Sequence, residues 1–323
     1  MRPLVLFLLI SMSAGSVPAQ QSRDGGQYTI AVDVDLVVFN VTVTDRKGLQ
    51  VAGLEAGDFR IFEQGRLQDV KLFHAEDSPA SVGLIIDNSG SMREKRADVA
   101  KAALDFVSAS NPEDEMFVVN FNENVYFGLP RSTPFTNNVD LLRAALTTAP
   151  AGLTALYDAL ATGIEHLKTG TRDRKALVVL SDGGDNASHR TLDEVLRVAQ
   201  QSSATIYTIG IYDDTDQDRN PRVLRKIAQL TGGRAYFPES LDDIERVWRD
   251  IAGRIRSQYT IGYFSRNSSR DGGFRKVNIV ASGKGGRTLR VNTREGYVAP
   301  DERQRNASPI GRSHQSAEES IPR

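Results

Sequence analysis

Val82-Gly83-Leu84-Ile85-Ile86-Asp87-Asn88-Ser89-Gly90-Ser91 joins an apolar run to a polar segment whose carboxylate and hydroxyl side chains fall at every second position. A continuous short apolar run reads as a strand buried on both faces, and such strands belong to parallel sheets covered by helices. Alternate side chains of an extended segment point to one side, so Asp87, Ser89 and Ser91 converge, with Gly90 permitting the bend. In open α/β sheets ligand sites collect at the carboxyl ends of strands, which is where this segment lies.

Outward from it, apolar runs at 116–121, 176–180 and 205–211 alternate with helical patterns at 94–108, 139–147, 155–167, 192–201 and 223–230. A last helical pattern, 241–256, puts Leu241, Ile244, Val247, Trp248, Ile251 and Ile255 on one stripe, which makes Trp248 a core residue. The alternation predicts an α/β domain over 81–257: a doubly wound, mostly parallel sheet with helices on both faces. The flanks change period. Across 28–80, Ile30, Val32, Val34, Leu36 and Val38 recur at every second position, and Gln64-Gly65-Arg66 marks a hairpin after 59–63. Across 258–299 the runs 259–263, 276–281 and 289–291 read as strands around a Gly-rich turn at 283–286. Neither flank has enough strands to stand alone, so the two are expected to pair into one small β-sandwich-like domain with the α/β domain inserted between them. The polar, aperiodic stretch 300–323 reads as a disordered tail.

The chain of 323 residues carries 40 % hydrophobic and 25 % charged residues, the composition of an ordinary globular protein. A formal net charge of −1 offers no electrostatic case for nucleic acid or an anionic membrane surface. The absence of Cys excludes disulfides, thiolate metal sites and cysteine nucleophiles. Residues 1–20 have the order of a signal peptide: Arg2, the apolar run 4–10, then Val17-Pro18-Ala19 as a small-residue cleavage site. That run is too short to span a bilayer, and no other stretch approaches the required length. The expectation is an exported protein, periplasmic or secreted.

The edge that holds Asp87, Ser89 and Ser91 should also carry Asp182, after the 176–180 strand, and Thr154, at the start of the 155–167 helix. Two carboxylates and three hydroxyls are hard oxygen donors, suited to Mg²⁺, or to Mn²⁺ or Ca²⁺, rather than to Zn²⁺ or copper. Asp-x-Ser-x-Ser after the first strand, a later Thr before a helix and a later Asp after a strand resemble the metal-ion-dependent adhesion site of von Willebrand factor type A domains. The resemblance implies that Ser89, Ser91 and Thr154 touch the ion, with Asp87 and Asp182 at it or just behind it. It also implies a partner protein that supplies an Asp or Glu carboxylate, because hydroxyl ligands leave the ion electropositive. The segments 41–45, 54–59 and 61–65, then 259–263 and 294–297, are similar to an exported bacterial group of type A-related proteins.

Local structure offers each residue a second reading. Ser91 with Glu94 forms a capping box, Thr154 a helix cap, and Asp182-Gly183-Gly184-Asp185 a turn. The acidic run 213–218 lacks the Gly and Glu of an EF-hand, counted from Asp214, and reads as a solvated connection. The four His residues, at 74, 166, 189 and 314, make no metal-ligand spacing, and there is no Gly-x-Ser-x-Gly elbow. The expectation is therefore a non-enzymatic binding module. The alternatives are a structural assembly subunit stabilised by its ion and, with less support, a metal-dependent hydrolase.

Overall fold

A computed structural model describes residues 36–301 apart from 76, 148 and 213–218. The signal-peptide and tail readings, the first strand residues at 28–35 and the acidic run 213–218 lie outside the described residues. Four strands lead: β1 (Leu36–Thr44), β2 (Phe59–Glu63), β3 (Arg66–Gln68) and β4 (Leu72–His74). The alternating part follows as β5 (Ala80–Asp87), α1 (Arg96–Ala109), β6 (Glu115–Phe121), β7 (Val125–Phe127), α2 (Val139–Ala145) and α3 (Leu156–Leu167). It continues through β8 (Arg174–Ser181), α4 (Leu192–Gln201), β9 (Thr205–Gly210), α5 (Pro221–Leu230), β10 (Ala235–Tyr236) and α6 (Leu241–Arg256). Five strands close the chain: β11 (Tyr259–Phe264), β12 (Phe274–Gly283), β13 (Arg287–Thr288), β14 (Arg290–Asn292) and β15 (Gly296–Val298).

The central sheet runs β10-β9-β8-β5-β6-β7, and every pairing is parallel except β6 with β7. Every residue of β5 is buried, as the unbroken apolar run requires. Helices α1 and α6 pack on each other with α2 against α1, while α3, α4 and α5 form a second row. Close approach of α3 depends on Gly163, where a Cβ would meet Ile85 Cδ1 at 2.5 Å. Trp248 of α6 is fully buried against Phe106, at 5.2 Å between ring centroids. Two elements carry too little pattern to be read from sequence: β7 and β10 are three and two residues long and owe their extended form to their neighbours.

The flanking segments form two antiparallel sheets. One has the order β14-β1-β11-β4; the other runs β13-β12-β2-β3, with β15 on β12. Strands that stand far apart in sequence thus pair directly, β1 with β11 and β2 with β12. Alternate residues of the two sheets share a core of Val37, Phe39, Val41, Tyr259, Ile261 and Tyr263 with Phe59, Ile61, Val277 and Ile279. Tyr259 also serves a loop: its hydroxyl donates to Val51 O (2.9 Å) and accepts from Leu54 N (3.2 Å). Tyr259→Phe leaves both groups without that partner, so a loss of about 1–2 kcal/mol is expected in denaturant unfolding. An unchanged midpoint would show that water replaces the hydroxyl.

These sheets meet the parallel sheet at the amino ends of its strands. Asn40 Nδ2 lies 3.4 Å from Lys175 O and from Ser203 O, where β8 and β9 begin. Arg174, at the first position of β8, is fully buried and donates to the backbone of both connections between the two parts. Its acceptors are Ala75 O and Ser78 O before β5, then Ile255 O at the end of α6 and Gln258 O before β11. The carboxyl ends of the parallel strands are left free for a site.

Candidate functional site

Strand order places the switch point between β5 and β8: the chain leaves β5 for β6 on one side, and returns to β8 on the other. Crevices of this kind open at the carboxyl ends of the two strands. Asp87 ends β5, and Asp182 follows β8 by one residue.

Four of the five sequence-predicted residues are linked by hydrogen bonds or hydroxyl contact. Ser91 Oγ donates to Asp182 Oδ2 at 2.8 Å and lies 3.1 Å from Ser89 Oγ. Asp87 sits one layer deeper, its Oδ1 accepting from Ser89 N (2.9 Å) and its Oδ2 from Ser181 Oγ (2.7 Å). Asp182 is oriented by its own turn, with Oδ1 accepting from Gly184 N at 2.9 Å. Gly183 makes that turn possible: its φ is +81°, and a Cβ would meet Asn220 O at 2.6 Å. Thr154 arrives on a separate loop, anchored by Gly90 N to Gly152 O (3.1 Å) and Thr154 N to Asn186 Oδ1 (2.8 Å).

The local alternatives resolve differently for each residue. The capping box predicted at Ser91 does not form: a 3₁₀ turn occupies Gly90–Met92, α1 begins only at Arg96, and no side chain caps it. The Ser91 hydroxyl is instead committed to Asp182. Thr154 does not cap α3 either. Tyr157 N, in the first turn of that helix, donates to Asp185 Oδ2 (2.9 Å) and Ser188 Oγ (3.1 Å). The Thr154 hydroxyl forms no hydrogen bond among the described residues, although the residue is buried. Asp182-Gly183-Gly184 is a turn as well as part of the cluster, so the two readings coexist there.

Burial governs the electrostatics. It pushes the Asp87 carboxyl up to about 6, and the charge of Asp182 adds to the rise, while hydrogen bonds from Ser89 and Ser181 oppose it. Among the described residues no group of three His, Asp or Glu side chains could hold a metal ion. The cluster has only two carboxylates, and its remaining donors are hydroxyls. A buried carboxylate, a second one within its field, two hydroxyls in contact and an unengaged threonine hydroxyl are compatible with a hard divalent cation. His189 is no part of this arrangement: its ring and its backbone N–H both bond the Asp158 carboxylate on α3.

Three supporting residues carry weak sequence signals. Ser181 holds Asp87 and accepts from Gly183 N; only its place as the last residue of a buried strand points to it. Asn186 fixes the Thr154 backbone from a distance of 32 positions. Asn120 on β6 accepts from Asn88 Nδ2 (2.8 Å) and donates to Ala145 O (2.9 Å), stiffening the chain between Asp87 and Ser89.

Comparison with known proteins agrees with this architecture. The solved structure described as von Willebrand factor type A from Catenulispora acidiphila superposes with a TM-score of 0.50 at 17 % identity, covering 84 % of this chain and 75 % of that one. BatB from Bacteroides thetaiotaomicron gives 0.45 at 14 % identity, covering 56 % of this chain and 100 % of that one. The vWF domain of the type V pili tip protein Mfa5 from Porphyromonas gingivalis gives 0.48 at 14 % identity, with 56 % and 96 % covered. No curated protein matches the chain. The sequence model of the von Willebrand factor type A domain matches residues 81–249, more than half of the chain, and this chain belongs to that family.

Proposed function

We propose that this protein is an exported, non-enzymatic binding module that captures an acidic group of a partner protein through a divalent cation. Asp87, Ser89, Ser91, Thr154 and Asp182 would hold the ion, with Mg²⁺ the first candidate and Mn²⁺ or Ca²⁺ as alternatives. The observation that carries this reading is the contact of Ser89, Ser91 and Asp182 across the β5–β8 switch point, with the unengaged Thr154 hydroxyl carried on the adjoining loop.

The residues divide the work. Ser181 and the Ser89 backbone orient Asp87 beneath the hydroxyls, and among the described residues no cationic side chain bonds it. Ser91 bridges Ser89 and Asp182, so the two strand ends move together. When bound, the ion supplies a Lewis-acidic position that a partner's carboxylate oxygen can complete. Leu153, beside Thr154, is 54 % exposed and offers apolar contact at the rim of the cluster. Binding rather than turnover is favoured because the described side chains at the cluster are hydroxyls and carboxylates, with Glu123 on the backbone of Leu153 beside it and no histidine among them. No helix among the described residues is long and apolar enough to cross a membrane.

Isothermal titration of Mg²⁺, Mn²⁺ and Ca²⁺ into the purified protein tests the reading. One saturable site is expected in the parent and none in Thr154→Ala, whose far-UV spectrum should match the parent's because Thr154 caps no helix. Retention of full affinity in both Thr154→Ala and Asp182→Ala would remove the cluster from the argument.

A further inference from the structure

Helix α5 displays a second, differently built surface. Val223, Leu224, Ile227 and Ala228 are buried against the sheet. The opposite face carries Arg222, Arg225, Lys226 and Gln229 at i, i+3, i+4 and i+7, all exposed. The helix contains no acidic residue. None of its three cations forms an ion pair among the described residues; Arg225 lies 4.4 Å over the ring of Phe237. In a chain of net charge −1, such a stripe concentrates positive charge locally.

The stripe forms one wall of an open cleft of about 410 Å³, lined by Gln200 on α4 and by Leu230, Phe274 and Glu295. Adjoining clefts share its residues on both sides. One continues past Gln229 and Arg225 to Arg234; the other passes Lys226 and Gln200 to Arg197, where Asp193 and Glu194 bound the basic stretch. The result is an elongated groove rather than a closed pocket, a shape that suits a chain more than a single ion.

From these features we infer that the α5 groove binds an acidic polypeptide segment containing apolar residues, and does so without a metal ion. Residues at i, i+3 and i+4 of a helix lie about 5–6 Å apart, close to the spacing of alternate side chains in an extended peptide. Carboxylates at alternate positions of the ligand would therefore meet successive α5 cations. Phe274, 46 % exposed, and the half-buried Leu230 give apolar contact for the residues between. Glu295 argues against a uniformly anionic polymer: a polysulfated chain would place a like charge against it, whereas a peptide can present a neutral residue there.

The test measures fluorescence anisotropy of a labelled peptide of alternating Glu and Leu with the full chain, in chelator throughout. Saturable binding is expected. It should weaken at least about tenfold in Arg222→Glu/Lys226→Glu and fall with added salt, because exposed charges carry it. The exposed reversal Arg60→Glu, on β2, should change it by less than about twofold, as should Thr154→Ala, so failure of the ion site leaves this result standing. Four outcomes would overturn the inference. They are no binding by the parent, an equal loss in Arg60→Glu, binding that requires Mg²⁺, and equal or tighter binding of a sulfated oligosaccharide of matched charge.

Discussion

Arg174→Met is expected to lower unfolding stability by about 3–5 kcal/mol, a fall of roughly 10 °C in Tm. The guanidinium is 1 % exposed and donates to Ala75 O (3.2 Å), Ser78 O (3.0 Å), Ile255 O (2.8 Å) and Gln258 O (2.5 Å). Methionine fills similar volume but supplies no donor, so the substitution isolates lost hydrogen bonds from lost packing. Two further contributions act in the same direction. Ile255 and Arg256 are the last residues of α6, where a cation complements the helix dipole. The charge of Arg174 also favours ionised Asp114, which burial alone would push the other way. Differential scanning calorimetry checks the total, and Arg174→Lys should fall between parent and Met variant, since one ammonium cannot reach both connections. If Arg174→Met stays within about 1 kcal/mol of the parent, the clasp does not control stability, and contacts such as those of Asn40 with Lys175 O and Ser203 O suffice to hold the two parts together.

Asp87→Asn should have the opposite sign. With chelator present near neutral pH, it is expected to raise stability by about 2–3 kcal/mol, because an ionised carboxylate is no longer held in a fully buried position. The direction follows from linkage. Burial raises the folded-state carboxyl from 3.8 to about 6, so folding takes up a proton between those values. On this account stability is greatest below the unfolded pKa, declines as pH rises through about 6, and stays low above it. Other carboxylates run in the opposite direction. Asp158 is held low by the backbone and ring of His189 and by Arg190, and Asp77 by Arg256, so each contributes stability that is lost on acidification. The difference between parent and Asp87→Asn unfolding curves across pH isolates the one group. Mg²⁺ should raise the Tm of the parent and leave that of the variant unchanged. A variant less stable than the parent at neutral pH, with the same pH profile, would show that Asp87 is already neutral or already compensated in the folded protein.

Much of the architecture follows from sequence alone, for physical reasons that are local. The unbroken apolar run ending at Ile86 has no polar face to show water, so β5 had to lie at the centre of a helix-covered sheet. Alternation of Asp87, Ser89 and Ser91 sets them on one side of the chain, whereas apolar periodicity places α5 only from 223 and misses the cap at Asn220 and the start at Pro221. Other features depend on pieces distant in the chain. Sequence offers Ser91 both a capping box with Glu94 and a place in one cluster with Asp182. Packing of β8 beside β5 brings Asp182 within reach and decides for the second. Thr154 has the composition of a cap, but Asp185 and Ser188, beyond α3 and β8 in the chain, occupy that role first. Arg174 gave no signal because a buried arginine is recognised only by the carbonyls gathered around it, and those come from two connections almost two hundred positions apart in the sequence. Short-range pattern therefore fixes which faces are apolar and which side chains share a side. Only the tertiary structure decides which of several competent hydrogen-bond partners each polar group meets, because that choice is made between segments brought together by packing.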